Sequence, residues 1–284
     1  MKKIYFVEGI PGIGKTTLSL IVENSLLQKG KKVKRYEEHS CENPLDMTRK
    51  AFLSQAEYKL FVEKCVSLAK GSKYSSNDII AEIEARTSFE SEYAIISYLQ
   101  PYFKNEAIVQ ELRQLYSREI CNGRISEKEY MDVIFSMFFK FSKDAQDDWC
   151  YIFDGAFFQN ILLDMIGFYN VSSEALKIFY NKLLSVLASF EIIILYLYDK
   201  NVETILNETN SARAKMNWLS EYDTWVTRTN WFQMQEKVSV HQNSATAFSY
   251  DLQKTMFDLM NSFSGIEKHF IKARYTTLNL RGVI

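Results

Sequence analysis

Chain breakers are scarce here: 284 residues include three prolines and ten glycines, against an average usage of roughly 12% for the two together. So few turn formers exclude an all-β sandwich of many short strands and favour long helices. Histidine is equally rare (His39, His241 and His269), and the four cysteines, Cys41, Cys65, Cys121 and Cys150, stand far apart with no C-x-x-C pair. Neither a zinc site nor a disulfide framework is expected; reduced, structural thiols in a cytoplasmic protein are. Charge of one sign is missing too: 34 Lys and Arg against 35 Asp and Glu leave a net charge of -1, so the basic excess of a nucleic-acid binder is absent. The longest apolar run, Ile192 to Tyr198, is seven residues, and the apolar start Ile4 to Val7 is cut short by Glu8 and Gly9. No signal peptide, membrane span or membrane partner is expected from such runs. A hydrophobic fraction of 47% with 14% aromatics is ample for a globular core.

The most informative stretch runs from Lys3 to Thr17. A short apolar, β-branched run leads into Gly9-Ile10-Pro11-Gly12-Ile13-Gly14-Lys15-Thr16-Thr17, and an amphipathic helix follows to about Gln28, with Gly30 placed to end it. Gly9 to Thr16 matches the Walker A pattern G-x-x-x-x-G-K-[ST] without a mismatch. The chemistry explains the residue types: glycines let consecutive backbone N–H groups turn onto phosphate oxygens, the helix start adds its dipole, Lys15 supplies a point charge, and the Thr16 hydroxyl can ligate Mg²⁺.

Lys31 to Glu38 reads as a second strand, and the five positive residues between Lys29 and Arg35 as a solvated helix-to-strand turn. In a parallel sheet ligands sit outside the carboxyl ends of the strands, so Glu37 or Glu38 faces the cradle; side-chain alternation lets only one of them do so. Between residues 41 and 148 no strand-like run stands out. Helical periodicity over Asp46–Lys70, Ser76–Tyr102 and Glu127–Lys143 predicts a helical insertion inside a single domain of residues 1–284, with Ser126 and Glu129 at capping-box spacing. Trp149 to Asp154 has the pattern of a buried strand ending in a carboxylate, which is a turn or helix cap or, where a nucleotide-binding fold would place one, a second magnesium-organising acid, with Gln159 and Asn160 close enough to line the same edge. Glu191 to Asp199 is the clearest buried strand. After it come a helix over Val202–Thr209 and a polar loop with Arg213 and Lys215, whose cations can reach over bound phosphates. Trp218, Trp225 and Trp231 are spaced for a packed helical stripe, and His269 to Lys272 is a weak last strand before a tail from Tyr275 to Ile284.

Phe6-Val7-Glu8-Gly9 running into Pro11-Gly12-Ile13-Gly14-Lys15-Thr16-Thr17 resembles the opening of the P-loop nucleoside and nucleotide kinases, the group of thymidylate and deoxynucleoside kinases. Over roughly residues 1–235 the chain is similar to a set of bacterial P-loop ATPase or kinase-like proteins. The shared points are Glu38 with Asn43-Pro44-Leu45-Asp46, Ile96-Ser97-Tyr98, Tyr151 to Asp154 through Phe158-Gln159-Asn160, and the Arg213 loop. The resemblance implies a three-layer α/β fold with a parallel sheet of about five strands, ATP and Mg²⁺ at the cradle, and an acceptor site roofed by helices after the second strand. It assigns Lys15 and the Gly12–Thr17 backbone to the phosphates, Thr16 and Asp154 to Mg²⁺, Glu38 to the acceptor hydroxyl and Arg213 to the lid. Gly155-Ala156 follows Asp154 where the family carries an arginine, so the acceptor stays open among nucleosides, nucleotides and other hydroxylated metabolites, antibiotics included. An ATP-hydrolysing switch that binds a protein partner through the insertion is the alternative. Asn181-Lys182-Leu183-Leu184 sits in a helical pattern, which makes a GTPase the weaker form of it. A homodimer is left open by the sequence.

Overall fold

The computed structural model describes residues 2–38, 40, 42–70, 73–90, 92–98, 106–234 and 243–273. In chain order these form β1 (Lys2–Glu8), α1 (Lys15–Gln28), β2 (Lys32–Tyr36), β3 (Lys50–Ser54), α2 (Gln55–Leu68), α3 (Ser76–Glu84), β4 (Thr87–Phe89), β5 (Tyr93–Ser97), α4 (Glu106–Gln114) and α5 (Glu127–Asp144). The chain continues with β6 (Trp149–Asp154), α6 (Gln159–Gly167), α7 (Ser173–Val186), β7 (Phe190–Tyr198), α8 (Val202–Ala212), α9 (Trp218–Thr227), α10 (Asn230–Met234), α11 (Ser244–Ser262) and β8 (Glu267–Lys272). His39, Cys41, His241 and the tail from Tyr275 lie outside the described residues. The other three cysteines are free thiols, and no described helix is long and apolar enough to cross a membrane.

The chain divides into two compact units, residues 1–45 with 131–284, and residues 46–130. The first is α/β. Its five strands run in the order β2-β6-β1-β7-β8, every neighbouring pair parallel. Strands buried on both faces need a near-continuous apolar run, and β1, β6 and β7 have one, with charged residues only toward their ends: Ile4, Phe6, Val7, Ile152, Phe153, Ile194 and Leu195 are fully or almost fully buried. Register brings Phe6 beside Phe153 and Tyr36 beside Phe153, and these rings meet Phe138 and Phe141 of α5 on one face. Asp154 alternates to the other face, where it meets α1, which packs on β1, β2 and β6. Helices therefore cover both sides of the sheet. The chain leaves β1 toward β2 on one side and β7 toward β8 on the other, so the strand order turns around at β1, and the carboxyl end of β1 is the edge where α/β sheets place ligands.

The second unit corrects the expectation of a purely helical insertion. It holds an antiparallel sheet in the order β3-β5-β4, covered by α2, α3 and α4. Its core is its own: Ala51, Leu53, Phe61, Cys65, Ile79, Ile83, Ile96, Ile108 and Leu112 pack together. The strands escaped notice for a physical reason. β3 contributes three consecutive buried residues, Ala51, Phe52 and Leu53, and runs straight into α2 at Gln55; an apolar run that short has no period of its own to distinguish it from a helix. Of the expected helical stretches, Asp46–Lys70 shrinks to α2 and Ser76–Tyr102 to α3, while Glu127–Lys143 is matched by α5. Capping boxes set two of the starts, Ser54 with Glu57 and Ser75 with Asp78, and a third joins Ser126 and Glu129 at the expected place.

Ile96 is fully buried in the centre of the small sheet. Ile96→Ala should lower stability by about 2–5 kcal/mol, and hydrogen exchange should speed up within residues 46–130 while β1, β6 and β7 keep their protection. Uniform acceleration over both sheets would contradict a separate core for the insertion.

Candidate functional site at the carboxyl edge of the sheet

The turn that follows β1 reverses the chain over six residues and delivers it into α1. At Gly12 φ is +82°, and a Cβ there would lie 2.4 Å from Thr209 Oγ1 and 2.7 Å from its methyl group, so only glycine lets α8 pack this closely on the turn. Thr209 Oγ1 donates to the Gly12 carbonyl at 3.1 Å. Gly14 heads α1 in a left-handed conformation, with no side-chain cap and no acidic residue in the first turn. The first N–H groups of a 14-residue helix thus face outward unmatched by any side-chain cap, a positive end suited to an anion.

Lys15 is only 5% exposed. Its Nζ donates to the Ile10 carbonyl at 3.2 Å and to Gln159 Oε1 at 2.5 Å, leaving one of three N–H groups for a ligand. Thr16 Oγ1 donates to Asp154 Oδ2 at 2.6 Å, while the other oxygen of that buried carboxylate, Oδ1, has no partner. A buried carboxylate oxygen without a donor is costly, and a bound cation with its waters is one arrangement that would satisfy it. Hydroxyl and carboxylate oxygens suit Mg²⁺, which takes one or two protein oxygens and completes its octahedron from phosphates and water. Among the described residues no group of three or more His, Cys, Asp and Glu side chains is arranged to hold a metal by itself. A cation here would depend on a bound anion for the rest of its ligands.

The ambiguity between the two acids after β2 is resolved. Glu37 points away and accepts from Arg35 Nη2 at 2.6 Å, in a pair that Glu23 extends at 2.8 Å. Glu38 turns inward, accepting from Gln159 Nε2 at 2.8 Å. Asn43 fixes the following bend: its Nδ2 donates to the Glu37 carbonyl and its Oδ1 accepts from Leu45 N. Lys15, Thr16, Glu38 and Asp154 are therefore brought to one edge. Arg213 is not. It ends α8, exposed, with its guanidinium 5.3 Å from the centre of the Trp218 ring. Even so, it lies one helical turn beyond Thr209, the residue that touches the Gly12 carbonyl.

Three residues of the edge were missed or underused by sequence reasoning. Glu8, the last residue of β1, is fully buried; its Oε1 accepts from Phe157 N at 2.8 Å and its Oε2 from Gln159 N at 3.0 Å, so it caps the start of α6. Its signal was the one that singled out Asp154, an acid closing an apolar strand. Gln159 proves to be the centre of the hydrogen-bonded set rather than a lining residue. Thr209, one threonine in an amphipathic helix, carried no signal. Compared with known proteins, the chain matches no family model and no curated protein.

Burial pushes the Glu8 carboxyl up from its ordinary 4.5 to about 7, against the opposing pull of the Gln159 and Phe157 N–H groups and of the Lys15 charge. A folded chain thus holds this proton where the unfolded chain has released it. The stability it contributes is full below about 4.5 and is lost as pH rises through about 7, by roughly 3 kcal/mol in all. In Glu8→Gln that component should vanish, so denaturant midpoints measured between about pH 4.5 and 7.5 should fall less steeply than in the wild type, whatever the variant's absolute stability. An identical pH slope in the two proteins would remove Glu8 from this role.

Proposed function

We propose that this protein is an ATP- and Mg²⁺-dependent small-molecule kinase. The observation that carries the reading is the combination at one sheet edge of an uncapped helix start, a buried lysine with an N–H to spare, and a Thr16–Asp154 pair whose second carboxylate oxygen is unpartnered. The Gly12–Thr17 backbone and Lys15 would hold the phosphates, and Thr16 and Asp154 would hold Mg²⁺, directly or through water. ATP bound there would supply the phosphoryl group and a stable leaving group.

The chain's own residues do the remaining work. Lys15 places its charge next to the developing negative charge, in a site from which its own burial excludes bulk water. Asp154 keeps the Thr16 hydroxyl oriented by accepting its hydrogen bond, so that the hydroxyl's lone pairs are left for a cation. Glu38 takes the proton of the acceptor hydroxyl at a carboxylate oxygen, held in place by the Gln159 amide. Arg213 reaches the site only if the end of α8 moves, so it acts on closure. Gly155-Ala156 in place of an arginine after Asp154 argues against a deoxynucleoside or thymidylate acceptor and leaves other hydroxyl-bearing acceptors open. A separate core within residues 46–130 favours the second reading, a switch that hydrolyses ATP and carries a protein-binding insertion.

ADP release from Mg·ATP, alone and with pools of nucleosides, nucleotides and hydroxylated metabolites, tests the proposal. One pool should stimulate release strongly, and Lys15→Ala should lower the stimulated rate by about 100-fold or more, some 3 kcal/mol of transition-state stabilisation. Slow turnover that no pool alters, still dependent on Lys15, would favour the switch; no nucleotide binding at all would refute both.

A further inference from the structure

Three groups of the site form one hydrogen-bonded string. Lys15 Nζ donates to Gln159 Oε1 at 2.5 Å, and Gln159 Nε2 donates onward to Glu38 Oε1 at 2.8 Å. Chemistry fixes the sense of the central amide: an ammonium only donates and a carboxylate only accepts, so the carbonyl end must face Lys15 and the NH₂ end Glu38. Gln159 is itself immobilised. It is 2% exposed, its backbone N–H is held by Glu8 at 3.0 Å, and its side chain also donates to Asn160 Oδ1 at 3.0 Å. Space for it comes from Gly155, where φ is +67° and a Cβ would stand 3.2 Å from Lys15 Cε and 3.3 Å from Gln159 Nε2.

We infer that Gln159 is a positioning residue that couples the two halves of the site: a phosphate bound at Lys15 is felt at Glu38, and an acceptor bound at Glu38 is felt at Lys15. This rests on the kinase reading and adds to it a mechanism by which nucleotide and acceptor are sensed together. The string survives nucleotide binding, because the third N–H of Lys15 can meet a phosphate while the other two stay in place. Fixing the ammonium then fixes the amide plane, and the amide plane sets where the second oxygen of Glu38 points. Coupling of this kind is reciprocal.

A double-mutant cycle on nucleotide affinity tests it, with Mg·ADP as the probe, calorimetry as the readout and thermal melts as the check on folding. Glu38→Met should change the Kd for Mg·ADP by about threefold or more when Gln159 is present, and by less than about 1.5-fold when Gln159→Met is already in place. An equal change in both backgrounds would mean that the Glu38 charge acts through space, and would overturn the inference. A second pair of variants guards against a merely disordered site. Gln159→Glu puts a carboxylate against Glu38 and should weaken Mg·ADP binding about tenfold through like-charge repulsion. Adding Glu38→Gln removes the like charge and re-forms the string with its second link reversed, the amide at position 38 donating to the carboxylate at position 159, and should return the Kd to within about threefold of wild type, with acceptor-dependent turnover still lost. Failure of that rescue would also overturn the inference. Wild-type protein that binds no Mg·ADP would instead bring down the cradle on which it rests, an outcome the cycle separates from loss of coupling alone.

Discussion

Burying a lysine ammonium is the constraint around which this sheet edge is organised. An unpaired charge taken out of water costs several kcal/mol or shifts its protonation, yet Lys15 is 5% exposed. Its position leaves the chain few options. The turn must present a carbonyl, which Ile10 does; α6 must begin where a side-chain amide can reach, which Gln159 does; and the start of α6 must be held at that place, which Glu8 does by accepting from Phe157 N and Gln159 N. Ile10 and Glu8 sit at the end of β1 and Gln159 follows the end of β6. The parallel register of β1 with β6 places Val7 beside Asp154, so the segment after β6 arrives next to the turn after β1.

Meeting these constraints works against stability in two places. Glu8 is ionised only against the resistance of its own burial, and Asp154 Oδ1 is buried without a donor. Neither group is needed to close the core, since Phe6, Phe153, Phe157 and Tyr180 already fill the adjoining face. Polar groups that lower stability and sit together at a strand-order reversal are the ordinary mark of a site shaped for a ligand rather than for folding. The uncapped start of α1 and the orphan carboxylate oxygen have opposite electrostatic demands. An anion meets the first and a cation the second, and a magnesium phosphate meets both.

Much of this edge was legible in the sequence because it is built from strong local signals. Glycines at a strand end, a lysine and threonine opening a helix, and an apolar run closed by Asp154 each report their geometry within ten residues. The rest depended on partners distant in sequence. Glu37 and Glu38 are equivalent by position, and what separates them is Arg35 and Glu23 on one side and Gln159 on the other. Gln159 reads as an unremarkable glutamine until β6 is paired with β1. Thr209 matters only because α8 lies against Gly12, 197 residues away. The three-stranded sheet of the insertion failed at a different level: strands of three and five residues abutting helices leave no window in which a period of two can be told from one of 3.6.

The insertion also shows how the edge keeps its geometry across a long gap in the chain. Glu38 precedes it and Asp154 follows it, so more than a hundred residues separate the two acids in the chain, yet β2 and β6 are neighbours and pair residue for residue from Lys32 with Trp149 to Tyr36 with Phe153. Backbone hydrogen bonding between two strands therefore sets the spacing of the acids, whatever lies between. A segment with its own sheet and its own core can change its surface without disturbing that pairing. The geometry of the edge therefore belongs to the parallel sheet, where register is fixed by the ladder, and not to the insertion.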